Sequence, residues 1–319
     1  MRRSPRPEGA LVLSRIAESL FWIGRYVERA DGVARILDVH LERITQLPLE
    51  EQEAEVRRIM AVMGVEPADG DHSVKSLIHE LAWNKDCLTS ISGSLHAARE
   101  NARRARETVS SAMWESLNST YYGLGQHRRD VVGTFRVCHW TIERMATVRG
   151  QIQMTMAYDE SWMFLSLGAA IERADMTSRL LWTRSTTTAG MSWVSILHCA
   201  GAYEAFLRTR YGTFSDESAT EFLLLDRLFP RSILHALTTA EEILVQLEPR
   251  IQRVGFKDDA RRIIGEARTA LEFHHAEDLI SVLPEHLNNV QAACAQASEA
   301  VGAKYFSHAV EASWFGGIL

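Results

Sequence analysis

A chain of 319 residues, 46% hydrophobic and 24% charged, has globular composition and enough apolar mass for one large domain or two ordinary ones. A formal net charge of −6 gives no broad cationic footprint for nucleic acid. Only Lys75, Lys85, Lys257 and Lys304 of its basic residues are lysines, so arginine, the side chain suited to two-pronged contacts with carboxylate or phosphate, carries most of the positive charge. Codon usage in a GC-rich genome is the plain alternative.

Cys87, Cys138, Cys199 and Cys294 form no Cys-x-x-Cys, so reduced thiols are expected and neither a zinc knuckle nor a redox motif is indicated. The opening "MRRSPRPEGALVL" has no apolar run of signal-peptide length before Arg15 and Glu18. The uncharged run from Ser185 to Tyr203 holds several hydroxyl residues and His198, and is rejected as a membrane span. A soluble cytoplasmic protein, with no membrane or nucleic-acid partner, is the expectation.

Prolines are few and alternating strand-like runs nearly absent, which makes the chain all-α, a multi-helix bundle. Ser14 caps a long first helix to about Gln46, closed by Pro48, and Glu50 to Met63 follows, stopped by Gly64 and Pro67. Further helices are predicted over His72 to Ala82, Thr89 to Leu117, Arg129 to Met156, Glu160 to Trp182 and Trp193 to Arg210. Ala219 to Leu228, Arg231 to Arg253, Asp258 to Phe273 and Leu287 to Ala303 complete the series. The Ala-rich side formed by Leu95, Ala98, Ala102, Ala105, Val109 and Ala112 allows a neighbouring helix to come close.

Two of these helices carry the same pattern. "IGRYVERADGVARIL" begins at Ile23 and "LGAAIERADMTSRLL" at Leu167, and both read Gly-x-x-x-Glu-Arg-Ala-Asp-x-x-x-Arg with apolar positions in register. No linker separates two halves, so the reading is an internal duplication, two related halves sharing one core with the two motif helices packed together about an approximate twofold. At about 100° per residue, Gly24, Glu28, Asp31 and Arg35 share one sector of their helix, as do Gly168, Glu172, Asp175 and Arg179 of theirs. Glycine inside a helix costs about 0.5–1 kcal/mol relative to alanine, so something needs room at Gly24 and Gly168.

Three readings of the motif stand side by side. Asp31 with Arg35, and Asp175 with Arg179, at i,i+4 and backed by glutamate, orient two helices. Alternatively the arginines hold a ligand carboxylate or phosphate while Glu28 and Glu172 accept from an amine, guanidinium or amide. A dinuclear metal site is the third, but it requires Glu-x-x-His on two helices, and only Glu272 and His275 supply one. No metal and no cofactor are expected. A second charged stretch, "ARENARRARE", puts Arg99, Arg103 and Arg106 in one stripe beside Glu100 and Glu107, either a solvated face or an anion-binding strip. His127 reads as exposed, and "EFHHAED" from Glu272, with His275 and Asp278, reads as a polar helix end. Phosphate-loop, nucleophile-elbow, dinucleotide and His-Glu-x-x-His signatures are missing from the sequence.

The segments "LSRIAESLFWIGRYVERADGVARILDV", "ARENARRARETVSSAMWESLN", "DESWMFLSLGAAIERADMTSRLL", "CAGAYEAFLR" and "EFLLLDRLFPRSI" together resemble the alpha-E domain family of bacterial proteins, from about Leu13 to Trp314. The domain reading is therefore residues 13–314 as one helical domain, 1–12 as a disordered extension outside the pattern and 315–319 as a tail. The resemblance implies an all-helical protein named for its glutamates, encoded beside or fused to a circularly permuted ATP-grasp ligase and a transglutaminase-like protein. It implies a part in amide or peptide bond formation. The expected function is an accessory or substrate-binding component of such a system, with an amino-acid or peptide ligand held by Glu28, Asp31, Arg35, Glu172, Asp175 and Arg179, joined by Arg99 and Arg103. The alternatives are an enzyme with Glu28 or Glu172 as general base, and a purely structural interaction module. One departure is that Arg25 follows the first glycine whereas Ala169 follows the second, which puts in doubt any role needing both charges.

Overall fold

A computed structural model describes residues 14–67, 69–185, 192–209, 215–248, 258–273, 278, 280 and 282–306. It is an all-α multi-helix bundle with no strand among the described residues. Two helices form its axis: α1 (Ser14–Gln46) and α7 (Glu160–Ser185). Around α1 pack α4 (Ile91–Arg104) and α6 (Val131–Thr155), with α5 (Ser111–Leu124) between them. Around α7 pack α11 (Ile233–Leu247) and α13 (Leu283–Tyr305), with α12 (Asp259–Glu272) between them, so the two axial helices have the same pattern of neighbours. The remaining helices are α2 (Leu49–Met63), α3 (Val74–Ile78), α8 (Trp193–Cys199), α9 (Tyr203–Thr209) and α10 (Asp216–Leu225).

The start signals are mostly hydroxyl and carboxylate caps. Ser73, Ser90, Ser110, Ser192 and Ser232 each accept a backbone N–H of the following turn, Asp130 and Asp258 do the same, and Ser215 with Ser218 forms a reciprocal cap. These caps explain where the helices depart from the sequence expectation. The stretch from Thr89 to Leu117 is two helices, because the last turn of α4 closes at Ala105 and Ser110 starts α5 afresh. Trp193 onward is also two helices, split at Gly201, which takes the left-handed conformation with φ of 61°. The helix expected from His72 begins at Val74 and ends in a π-turn over His79–Trp83. Leu228, expected inside α10, lies beyond it and is exposed. His275 and the residues after Phe306 lie outside the described residues.

α1 and α7 run parallel and in register. A methyl group on Gly24 would stand 2.0 Å from the Leu165 carbonyl oxygen, and one on Gly168 would stand 2.0 Å from the Phe21 carbonyl oxygen. Further along, Gly32 faces Met176. The two backbones therefore touch where the sequence places glycine on both, and the motif residues beyond emerge level with one another. Ile23, Val27, Ala30, Ala34 and Leu37 are buried, as are Leu167, Ile171, Ala174 and Leu181. No described helix is long and apolar enough to cross a membrane.

Candidate functional site

One turn past the glycine contact, the acidic residues of each motif meet arginines of the other. Glu172, with its side chain fully buried, accepts from Arg29 through Nε at 2.6 Å and Nη2 at 2.9 Å, and from Arg25 Nε at 2.5 Å. Glu28 accepts from Nη2 of Arg173 on α7. The Glu-Arg pairs are thus exchanged: each glutamate is held by the arginine that follows the other glutamate. Residues adjacent in a helix point about 100° apart, so Glu28 and Arg29 cannot bond each other, but a neighbouring parallel helix in register offers each the opposite partner.

The aspartates behave as helical spacing predicts. Arg35 Nε bonds Asp31 at 3.0 Å and Arg179 Nε bonds Asp175 at 2.8 Å. Glu28 does not pair with Arg35, whose partner is Asp31, although both line the same cavity. Instead Arg149 of α6 and Arg231, just ahead of α11, approach the Glu28 carboxylate at 3.6 and 3.8 Å and Asp31 at 3.4 and 2.6 Å. The position matching Arg25 in the second motif is Ala169, so the Glu28 side draws its further arginines, Arg149 and Arg231, from outside the motif. They come from other helices, so the motif gave no sign of them. Arg29 and Arg173 stand in the two copies of the motif, but spacing within one helix gives neither of them its glutamate.

Two sites result, and both line cavities. On the Glu28 side, Arg35, Arg173 and Arg231 line a void of about 20 Å³ together with Glu28, space for a single water, while Arg149 and Asp31 belong to the ion-pair cluster beside it. On the Glu172 side, three arginines (25, 29, 179) face two carboxylates in a cleft of about 280 Å³, walled also by Met63, Gly64, Thr89 and Met176. Each has a roof of similar build. α2 ends in a left-handed Gly64 beside Arg179, whose Nη1 donates to Val62 O at 2.6 Å, and α8 ends in a left-handed Gly201 beside Arg35. Both glycines close the same reciprocal pair of backbone bonds at a helix end.

The electrostatics hold the carboxylates ionised. Burial works to raise the pKa of Glu172, but Arg25 and Arg29 outweigh it and bring it down to about 2. Burial is likewise overcome at Glu28 by Arg173, Arg149 and Arg231, and at Asp31 by Arg231, Arg149 and Arg35, and both are lowered. A general base gains from a pKa near the working pH, so Glu28 and Glu172 are poorly suited to that role. Since the folded value of Glu172 lies below its ordinary 4.5, the ionised group stabilises the fold fully above that pH, and the contribution is lost as pH falls towards 2. The difference in unfolding free energy between the protein and Glu172→Gln, followed by denaturation, should therefore shrink steadily between about pH 4.5 and 2; a difference constant over that range would contradict the assignment.

Arg99 and Arg103 are not brought to these sites. On α4, Arg99 bonds Asn118 Oδ1 at 2.8 Å and Glu100 at 2.6 Å and lies over the rings of Trp114, Tyr121 and Tyr122, while Arg103 bonds Glu100. They belong to a separate surface cluster. Glu272 pairs with Arg227 and Arg268, and no group of three metal-ligating side chains occurs among the described residues.

The model of the alpha-E family, described as a predicted alpha-helical domain with a conserved ER motif, matches residues 12–306. The chain belongs to the alpha-E family. In this alpha-E chain the Glu-Arg dipeptide at positions 28–29 and 172–173 is what the two axial helices exchange. Uncharacterized proteins of Mycobacterium bovis and Mycobacterium tuberculosis are 26% identical to it over 313 residues, which covers 86% of this chain and 34% of each relative. The alpha-E chain therefore spans about a third of the length of these curated relatives. No solved structure matches it.

Proposed function

We propose that this alpha-E chain is a binding component, not a catalyst, and that the cleft on its Glu172 side holds a carboxylate-bearing amino acid or peptide. The observation that carries this reading is the excess of guanidinium over carboxylate in a cleft with room for a small molecule. Planar N–H forks are suited to a carboxylate. Glu172 is fully engaged, so an incoming anion meets donors and not a competing acceptor at that position.

In the system that the alpha-E resemblance suggests, an ATP-grasp ligase activates a carboxylate and joins it to an amine, and the alpha-E component presents the substrate. The enzyme alternative, with Glu28 or Glu172 as base, is opposed by the lowered pKa of both groups. The structural-module alternative predicts no small-molecule affinity. The test is calorimetric titration of the whole chain with N-acetyl-L-leucine and with its neutral amide. We expect the acid to bind, the amide to bind at least tenfold more weakly, and Arg179→Gln to weaken the acid by a similar factor. Equal affinity for acid and amide, or no binding of either, would return the cluster to a purely structural role.

A further inference from the structure

The two sides of the α1/α7 pair are built alike but filled differently, and the filled side shows what the other lacks. Asp31 receives three guanidinium groups: its own Arg35, Arg149 at Oδ1 and Arg231 at Oδ2. Its counterpart Asp175, nine-tenths buried, receives only Arg179, on Oδ2, and Oδ1 has no hydrogen-bond partner among the described residues. Where Arg149 and Arg231 enter the first side, the second has a cleft of about 280 Å³. The position around Asp175 is thus short of a positively charged N–H donor that the other side supplies from within the chain.

A bare cation does not suit this cleft, because its three arginines already outnumber its two carboxylates. A bare anion leaves Asp175 Oδ1 unmet. Among the described residues, Arg25 Nη2, Arg29 Nη1 and Arg179 Nη2 also have no hydrogen-bond partner, so the residues that line this cleft hold free donors for an anion and a free acceptor for a cation. Met63 and Met176 add an apolar wall.

We infer that the Glu172-side cleft recognises an α-amino acid as its zwitterion, the ammonium on Asp175 Oδ1, the carboxylate on the free arms of Arg25, Arg29 and Arg179, and an apolar side chain against Met63 and Met176. The inference rests on the carboxylate-binding reading above and adds the amino group. It also makes the chain a one-site binder, since Arg149 and Arg231 occupy the matching place on the Glu28 side.

Titration of the whole chain with L-leucine and N-acetyl-L-leucine separates the two claims, because acetylation removes the ammonium and leaves the carboxylate. L-leucine should bind about tenfold or more tightly than the acetylated form, the scale of one charge-assisted hydrogen bond, at one site per chain. Asp175→Asn should bring L-leucine down to the level of N-acetyl-L-leucine while leaving the latter at least as tight, a change of ratio that a merely structural role for Asp175 would not produce. The ratio in the unaltered protein decides the matter even if that variant folds poorly. N-acetyl-L-leucine binding as tightly as L-leucine would overturn the inference and leave the carboxylate reading standing; failure of both to bind would remove both.

Discussion

Replacing Glu172 by glutamine should lower the unfolding free energy by about 3–5 kcal/mol, the usual cost of breaking a buried ion pair by removing one partner. The side chain is 0% exposed and its two oxygens take three hydrogen bonds from Arg25 and Arg29. Glutamine keeps the shape but presents one N–H pair to guanidinium groups that can only donate. Arg25 is itself buried, so water reaches the uncompensated charge poorly. Glu28→Gln should cost less, about 1–2 kcal/mol, because Arg173, Arg149 and Arg231 are 19–26% exposed and water can take over part of their solvation. Denaturant unfolding of both variants reads the difference directly. Equal losses would remove the expected asymmetry, and a loss below about 1 kcal/mol for Glu172→Gln would show that its exchanged pair does not hold α1 to α7. The expected asymmetry also divides the motif's labour: Glu172 fixes the helix pair, and Asp175 and Arg179 remain for a ligand.

Gly24→Ala and Gly168→Ala should each destabilise by about 3 kcal/mol, at the upper end of what overpacking usually costs. The added carbon would meet a backbone carbonyl oxygen at 2.0 Å in both cases, and a main-chain oxygen cannot turn aside as a side chain can. The two helices must move apart. That motion also lengthens the Glu172 and Glu28 bridges one turn away, which outweighs the roughly 0.5–1 kcal/mol that alanine gains over glycine within a helix. Gly150 in α6 supplies the control, since nothing lies within 4 Å of a carbon placed there, and Gly150→Ala should be neutral or stabilising. The double variant should lose less than the sum of its parts, because the second methyl enters space that the first has already opened. Thermal or denaturant midpoints unchanged in either single variant would mean that the helices are not in backbone contact.

Much of this arrangement follows from helical periodicity, which acts within a few residues and is therefore written locally. The spacing of Asp31 to Arg35 and of Asp175 to Arg179 alone places them in contact, and it does so in the folded chain. The paired glycines announced a close approach, and Gly24 and Gly168 are where α1 meets α7. The all-helical class was equally legible, although the serine cap at Ser110 and the left-handed Gly201 cut the chain into more pieces than apolar spacing suggested. What tertiary structure decided were the partners that no local rule supplies. A helix fixes the direction in which Arg29 or Arg173 points, but packing alone determines that each finds the other motif's glutamate. The same holds for Arg149 and Arg231, which arrive from elements far along the chain and nearly fill one side while the other keeps its cleft. Two nearly identical motifs thus have different surroundings, because burial and charge balance are properties of everything packed around a helix and not of the helix itself.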